Sequence, residues 1–335
     1  MANKITIESQ LVDLDTLLEK IEAGEFLVIA ADESILQKLP AGNWIAGTIP
    51  YFMTEQGGLV SQDDIFVNTI GGVSANAQPR ITPYDVNSIA RIAQDAPDNG
   101  FTIVILPAGS EVHGQYAENA PGFANMFFSP IVGWIAGTHL SSVGSSVAKT
   151  GFGPGSMLMS DKAVAMHVAL PESQIANIHI VNLFEQGAGA KISFPKTGFK
   201  VDDCLVDGVP TNFAEYIDKN NIDTRLPLVA DYNGINVNVS VQRVNGHDVD
   251  LYAPVFSGVD YQFAAPVADY VSTFNNAVSG STSDKAAFSC NCILNFMYSE
   301  LEGKKTGNLT GPITFGEVAY QLLNQTLVYM TLENQ

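Results

Sequence analysis

The sequence predicts a mixed α/β (α+β) protein with two halves, each with mixed, largely antiparallel sheets and flanking helices. Three observations predict this class. The pentapeptide WIAGT occurs twice, at 44–48 and 134–138, each time after an apolar segment of strand length. Helix-like segments precede both copies, and short β-type segments dominate residues 172–285. Because the same order surrounds both copies, we predict an internal repeat of strand, connection, WIAGT and strand.

The elements of the repeat can be placed in order. The leading strands are FLVIAA at 26–31 and FTIVILPAG at 101–109, and each WIAGT copy is followed by glycines, a polar turn and an apolar strand. The tryptophans, Trp44 and Trp134, should therefore be equivalent. We expect each WIAGT glycine to lie where strands approach too closely for a side chain.

A third, degenerate copy is predicted near the end of the sequence. Its leading strand is AAFSCNCILNFM, its central segment is GPITFGEVAY with Gly316 in the place of the WIAGT glycine, and its trailing strand is QTLVYMTL. The chain would then contain three related units.

Two segments have helical periodicity. Residues 9–24 place Leu11, Leu14, Leu18 and Ile21 on one face, with a start at Ser9. Residues 82–96 have Thr82 as an N-cap and a proline in the first turn. We divide the chain into an N-terminal helix (1–24), an N-terminal domain (25–195) and a C-terminal domain (196–335).

Composition excludes several classes of partner. Asp and Glu outnumber Lys and Arg by 35 to 16, which gives a net charge of −19 and predicts no nucleic-acid partner. The uncharged segment 119–138 contains two prolines, so we predict no membrane span. The first twenty residues contain acidic residues where a secretory signal has a basic region. Three cysteines are also too few for a disulfide framework, so we expect a cytoplasmic protein.

Motifs for catalysis and metal binding are weak. The glycine-rich segments GFGPGS and GAGAK lack the spacing of nucleotide-binding loops. The five histidines are not spaced as in metalloproteases, and the sequence contains no G-x-S-x-G nucleophile elbow with which one of them could act. Cys290 and Cys292 share one face of a predicted strand. We interpret them as a buried, unreactive pair, with metal binding or redox chemistry as the alternative. We predict no catalytic residues, no metal and no cofactor.

The order of several motifs resembles the FIST sensory domains of signal-transduction proteins, with an N-terminal and a C-terminal part. The segments that carry the resemblance are FLVIAADES, GNWIAGTIPYFMTEQGGLVSQDDIFVNTI, SPIVGWIAGTHL, TGFGPGSMLMSDKAVAMHVALP, VDGVPTNFAEYI, FSCNCILNFM and GPITFGEVAYQLLNQTLVYMTLE. The resemblance implies that the chain binds a small, amino-acid-like ligand without catalysis and passes its state to a signalling partner. Where the family has acids after the glycines, this chain has Thr48 and Thr138, whereas Glu317 keeps a carboxylate.

The repeats also predict a site. Residues that follow the motif glycines should line one pocket between the halves: Thr48, Tyr51, Thr138, His139 and Glu317. Alternatively, the threonines are structural. Two other functions stay open: a hydrolase or transferase with a dispersed site, and a non-catalytic interaction scaffold.

Overall fold

The fold consists of three β-rich units with the same order of elements and one long insertion. The computed structural model describes residues 4–232, 234–278 and 282–335. The first unit contains β1 (Thr6–Val12), α1 (Leu14–Glu22), β2 (Phe26–Ala31), α2 (Glu33–Leu36), β3 (Trp44–Thr48), β4 (Tyr51–Thr54), β5 (Gly57–Val60) and β6 (Ile65–Gly71).

The second unit follows the same plan. It contains β7 (Arg80–Tyr84), a 3-10 turn (Ile89–Arg91), β8 (Gly100–Pro107), α3 (Glu111–Asn119), β9 (Ile131–Ala136), β10 (Thr150–Phe152), β11 (Met157–Met159) and β12 (Ala163–Ala169). Further 3-10 turns lie at Ala120–Gly122, Leu140–Ser142 and Gly153–Gly155.

The third unit begins with β13 (Gln174–Val181) and is then interrupted by the insertion. The insertion contains β14 (Ile192–Ser193), β15 (Gly198–Val201), β16 (Asp203–Val206), β17 (Val209–Asn212), α4 (Phe213–Lys219), β18 (Leu228–Asp231), β19 (Asn236–Val239), β20 (Val241–Asn245), β21 (Asp248–Val255) and β22 (Asp260–Phe263). The unit resumes with α5 (Tyr270–Val278), a 3-10 turn (Thr282–Lys285), β23 (Ala286–Cys292), α6 (Ile293–Tyr298), β24 (Gly311–Thr314), β25 (Glu317–Ala319), β26 (Gln321–Leu323) and β27 (Leu327–Asn334).

Each unit forms four strands of a six-stranded sheet and donates a hairpin to another unit. The three sheets have the orders β1-β6-β2-β3-β10-β11, β7-β12-β8-β9-β25-β26 and β13-β27-β23-β24-β4-β5. Each sheet has one parallel pair: β2 with β3, β8 with β9, and β23 with β24. All other neighbouring strands in these sheets are antiparallel. This topology confirms the mixed fold class and the predicted repeat, including its third copy. The insertion adds two separate antiparallel sheets.

The WIAGT glycines lie at close approaches, as expected, but they approach side chains and not neighbouring strands. A Cβ on Gly47 would overlap the ring of Trp134, and a Cβ on Gly137 would overlap the ring of Phe315. In both cases the aromatic ring comes from the next unit along the chain. The glycines therefore let neighbouring units pack closely: Gly47 faces the core that the three sheets share, and Gly137 faces Phe315, which packs between that core and the outer layer of the second unit.

The predicted equivalence of the two tryptophans is wrong. Trp44 lies beside Leu27 in the β2–β3 pair and faces the outer layer formed by α1. Trp134 lies beside Ile105 in the β8–β9 pair and faces the central core. Trp44 is opposite the second residue counted from Phe26, and Trp134 is opposite the fifth residue counted from Phe101. Because side chains alternate along a strand, such an odd difference in register turns the same five letters to opposite faces.

Both helix predictions need correction. The first helix begins at Leu14, with Asp13 as its cap, because residues 6–12 pair with β6 as a strand. Residues 1–24 are thus not a helix alone. The second segment forms strand β7 and a short 3-10 turn, since β12 supplies main-chain hydrogen bonds to residues 80–84 and the Asp85 carboxylate closes a turn by accepting from the Ser88 amide.

The division between residues 195 and 196 stays a prediction. Three strand pairs, β13–β27, β9–β25 and β4–β24, join segments from either side of it. No helix among the described residues has the length and apolar character to cross a membrane.

Candidate functional site

An open cleft of about 320 Å³ lies at the carboxyl ends of β2, β3 and β9. The carboxyl ends of parallel strands are the usual place for ligands in sheets with parallel neighbours, because loops diverge there. The lining residues are mostly polar: Asp32, Glu33, Ser34, Gln37, Thr48, Ile49, Pro50, Gln62, Gly137, Thr138, His139, Ser142 and Ser146.

One wall of the cleft carries two carboxylates. Asp32 directly follows β2 and caps α2, and its Oδ1 accepts a hydrogen bond from the Ser34 amide at 2.9 Å. The Gln62 amide donates to the other oxygen at 3.4 Å. Glu33 forms an ion pair with Lys149. Within the described ranges no Lys or Arg pairs with Asp32, so this wall keeps one uncompensated negative charge.

His139 lines the cleft from the second unit and is fixed by two neighbours. Its Nδ1 accepts a hydrogen bond from the Ser141 amide at 3.3 Å and lies 2.7 Å from the Ser141 hydroxyl. Its ring stacks on Tyr51, with 5.7 Å between ring centroids. Since Nδ1 is an acceptor, the neutral imidazole carries its proton on Nε2 and can donate to a ligand.

Tyr51 does not line the cleft but contacts the residues that do. Its hydroxyl oxygen accepts a hydrogen bond from the Leu140 amide at 2.9 Å. Burial raises the pKa of Tyr51 above its usual value, so the phenol stays neutral. Tyr51 therefore positions His139 and the loop that follows it.

Thr48 lines the cleft, but its hydroxyl is already hydrogen-bonded within the protein. The hydroxyl donates to the Gly137 carbonyl at 2.8 Å and accepts from the Lys149 amide at 2.9 Å. The Gly137 amide returns a bond to the Thr48 carbonyl at 2.7 Å. Thr48 thus joins the first unit to the second. Thr138, half-buried, lies beside it on the cleft wall.

Glu317 does not line the cleft, contrary to the sequence prediction. It lies opposite Trp134 in the β9–β25 pair and is fully buried. Its Oε2 accepts a hydrogen bond from the Thr326 hydroxyl at 2.7 Å. Three predicted residues therefore converge on the cleft, Tyr51 supports them, and Glu317 lies in the core because alternation along β25 turns it inward.

Sequence reasoning missed the acidic wall. The relevant signal was available for Asp32, because it directly follows the leading strand of the first unit, next to the end of the parallel strand at Thr48. Gln62 lies in a distant turn, and Ser142 and Ser146 lie in the loop after His139. Their approach to the cleft depends on tertiary packing, for which the sequence has no local signal.

Other reactive groups are buried. Cys290 and Cys292 are free and each 1% exposed, and burial raises the pKa of both thiols well above the usual value. The predicted burial of this pair is thus confirmed. In the part of the chain that the structure describes, no three His, Cys, Asp or Glu side chains are grouped as metal ligands.

Comparison with known proteins places the chain in a family. No curated protein sequence matches it. A family of unknown function, DUF6976, matches residues 12–333, which is nearly the whole length. The chain therefore belongs to the DUF6976 family.

Proposed function

We propose that this protein is a non-catalytic sensor that binds a small, amino-acid-like molecule in the cleft. The observation that carries the proposal is the convergence of Thr48, Thr138 and His139 on one polar cleft that also contains Asp32, whose carboxylate has no ion-pair partner among the described residues. The cleft volume of about 320 Å³ suits a small metabolite.

The two walls are complementary to a zwitterion. An ammonium group fits the Asp32 side, where no protein cation in the described ranges competes for the carboxylate. A ligand carboxylate fits the side formed by the second unit, where His139 Nε2 and the hydroxyls of Ser142 and Ser146 can donate. This polarity is the physical basis for the proposed ligand class.

The position of the cleft supports a sensory role. Its walls come from two different units, which Thr48 and Gly137 join by reciprocal hydrogen bonds. A ligand that contacts both walls would stabilise one relative arrangement of the units, which a signalling partner could recognise. We also propose a cytoplasmic location, which the three free, buried cysteines support.

A hydrolase is the second candidate, and one contact favours it. The Ser141 hydroxyl lies 2.7 Å from His139 Nδ1, within reach for a nucleophile and base. However, the Ser141 amide donates to the same nitrogen, so the contact closes a local turn. We therefore prefer binding without turnover.

The proposal is tested by thermal-shift screening of amino acids and small amines, followed by calorimetry. A ligand at 100 times its Kd should stabilise the protein by about 2.7 kcal/mol. Asp32→Asn keeps the helix cap but removes the charge, so the affinity should fall at least tenfold, at a cost of about 1.4 kcal/mol. Asp218→Asn, an exposed aspartate of α4, is the matched control and should bind like wild type.

Two results would contradict the proposal. If no compound of either class stabilises the protein, the cleft is not a receptor for them. If a stabilising ester or amide is hydrolysed, and Ser141→Ala abolishes the turnover, the protein is an enzyme.

A further inference from the structure

The central core contains a group of fully buried polar atoms without partners. They are Trp134 Nε1, Glu317 Oε1, Asn291 Nδ2, Asn295 Oδ1 and Asn324 Nδ2, none of which has a hydrogen-bond partner in residues 4–232, 234–278 and 282–335. Each of these side chains is at most 2% exposed. Such atoms are rare in folded proteins, and several on adjoining segments require an explanation.

Four of these side chains belong to one connected group. Glu317 lies directly opposite Trp134 in the β9–β25 pair. The Thr326 hydroxyl donates to Glu317 Oε2 at 2.7 Å, and the Thr326 carbonyl accepts from Asn295 Nδ2 at 3.1 Å. Asn295 Nδ2 also donates to Asn291 Oδ1 at 3.0 Å. A hydrogen-bonded path thus runs from Glu317 on β25 to the start of α6, and Trp134 on β9 is the cross-strand neighbour of its first member.

The backbone beside this group is strained. Gln325 precedes Thr326, is 2% exposed and has φ of 49°, in the left-handed region that ordinary residues avoid. Asn324, with its unpartnered amide, precedes Gln325. Strain of this kind persists only where the surrounding structure imposes it, and it is often found at functional sites.

Glu317 is held without a counter-charge. The thiol of Cys292 and the hydroxyl of Thr326 lie beside its carboxyl, and the ion pairs of the described residues do not include it. Burial raises the pKa of Glu317 well above its usual value. A neutral carboxyl can donate as well as accept a hydrogen bond.

The unpartnered atoms indicate what could bind among them. Trp134 Nε1 and the asparagine Nδ2 atoms are donors, which would face a cation unfavourably. Asn295 Oδ1 is an acceptor, which would face an anion unfavourably. Water both donates and accepts, and internal waters bind where two to four polar groups converge.

We propose that these side chains form an internal hydration site, in which bound water bridges Trp134 Nε1 to the Glu317 carboxyl and the neighbouring amides. Trp134 connects the site to the proposed ligand cleft, because the six-membered part of its ring packs against Gly47 and Thr48 is the next residue, on the cleft wall. The hydration site does not depend on the identity of the ligand.

NMR detection of protein-bound water tests the proposal, and the chain supplies its own control. Trp44 Nε1 donates to the Pro40 carbonyl at 2.9 Å, whereas Trp134 Nε1 has no protein partner in the described ranges. With ¹⁵N-labelled indoles assigned by Trp134→Phe, the Trp134 N–H should show a cross-peak to long-lived water, and the Trp44 N–H should show none. Equal behaviour of the two indoles would overturn the proposal.

A second measurement separates water from an ion. In a high-resolution crystal structure of the wild-type protein, we expect density within hydrogen-bond distance of both Trp134 Nε1 and Glu317 Oε1. Crystals soaked in thallium(I) should show no anomalous peak there. A peak at this position, or a dry site, would refute the assignment to water.

Discussion

Acid should destabilise the protein through His167, and the effect can be isolated with one variant. His167 lies on β12, with Nε2 at 2.9 Å from the Tyr84 hydroxyl and Nδ1 at 2.8 Å from the Thr102 hydroxyl. Because the Tyr84 hydroxyl donates to Asp95 at 3.0 Å, Nε2 donates to Tyr84 and Nδ1 accepts from Thr102. The neutral imidazole therefore uses both nitrogens.

The size of the effect follows from the pKa. Burial, and to a smaller extent the charge of Arg80, lower the pKa of His167 from 6.5 to about 4, while Asp95 opposes the shift. The unfolded chain therefore takes up a proton before the folded one as the pH falls. The contribution is complete above pH 6.5 and is lost progressively towards pH 4, by about 3 kcal/mol in total.

Urea denaturation at a series of pH values measures this loss. Between pH 6.5 and 4, the free energy of unfolding of wild type should fall by about 3 kcal/mol more than that of His167→Gln, which removes the titrating group. His113, whose pKa burial lowers to about 4, contributes to both curves and cancels in the comparison. Parallel curves for wild type and variant would refute the reasoning.

Three further predictions concern the core and the cleft wall. A Cβ on Gly47 would lie 2.7 Å from Ile105 and overlap Trp134, so Gly47→Ala should lower the free energy of unfolding by about 1–3 kcal/mol or more. The control Gly114→Ala, in open space on α3, should raise the free energy of unfolding by up to about 1 kcal/mol. Equal urea midpoints for the two variants would contradict this prediction. Thr48→Val removes a buried hydroxyl that serves two backbone groups and should cost about 1–3 kcal/mol by the same measurement, so a neutral variant would show that the bridge is dispensable. All three cysteines are buried with raised pKa values, so a thiol reagent should label them only in urea, and rapid labelling of the native protein would disprove their burial.

The sequence was sufficient for the order of strands but not for the direction of side chains. The duplicated WIAGT segments and the third copy correctly predicted the order of strands in the three units, because apolar strand length and order are local signals. The parallel pairing of the leading strands was not predicted. The sheet face on which the Trp44 and Trp134 side chains lie depends on the register of each strand with its neighbour. Two identical pentapeptides can have different registers. Thr138 and His139 line the cleft, whereas Glu317 lies in the core, because its direction also depends on its register in the β9–β25 pair.

The prediction of a helix over residues 82–96 was wrong for a different reason. Residues 82–96 have a good helix cap and an apolar periodicity, yet residues 80–84 form an edge strand against β12. There Tyr84 becomes buried and bonds to His167, a gain that comes from residues more than 80 positions away along the chain. Tertiary pairing thus overrode local propensity.

The exchange of hairpins between units has a consequence for how the chain is made. The hairpin of β4 and β5 is synthesised early, but its sheet partner β24 lies at 311–314. The second sheet likewise receives its last two strands from residues 317–323. A nascent chain that stops after the second unit therefore exposes unpaired strand edges, which invite aggregation. Native structure should appear only once nearly the whole polypeptide has left the ribosome, and neither half should fold when expressed alone.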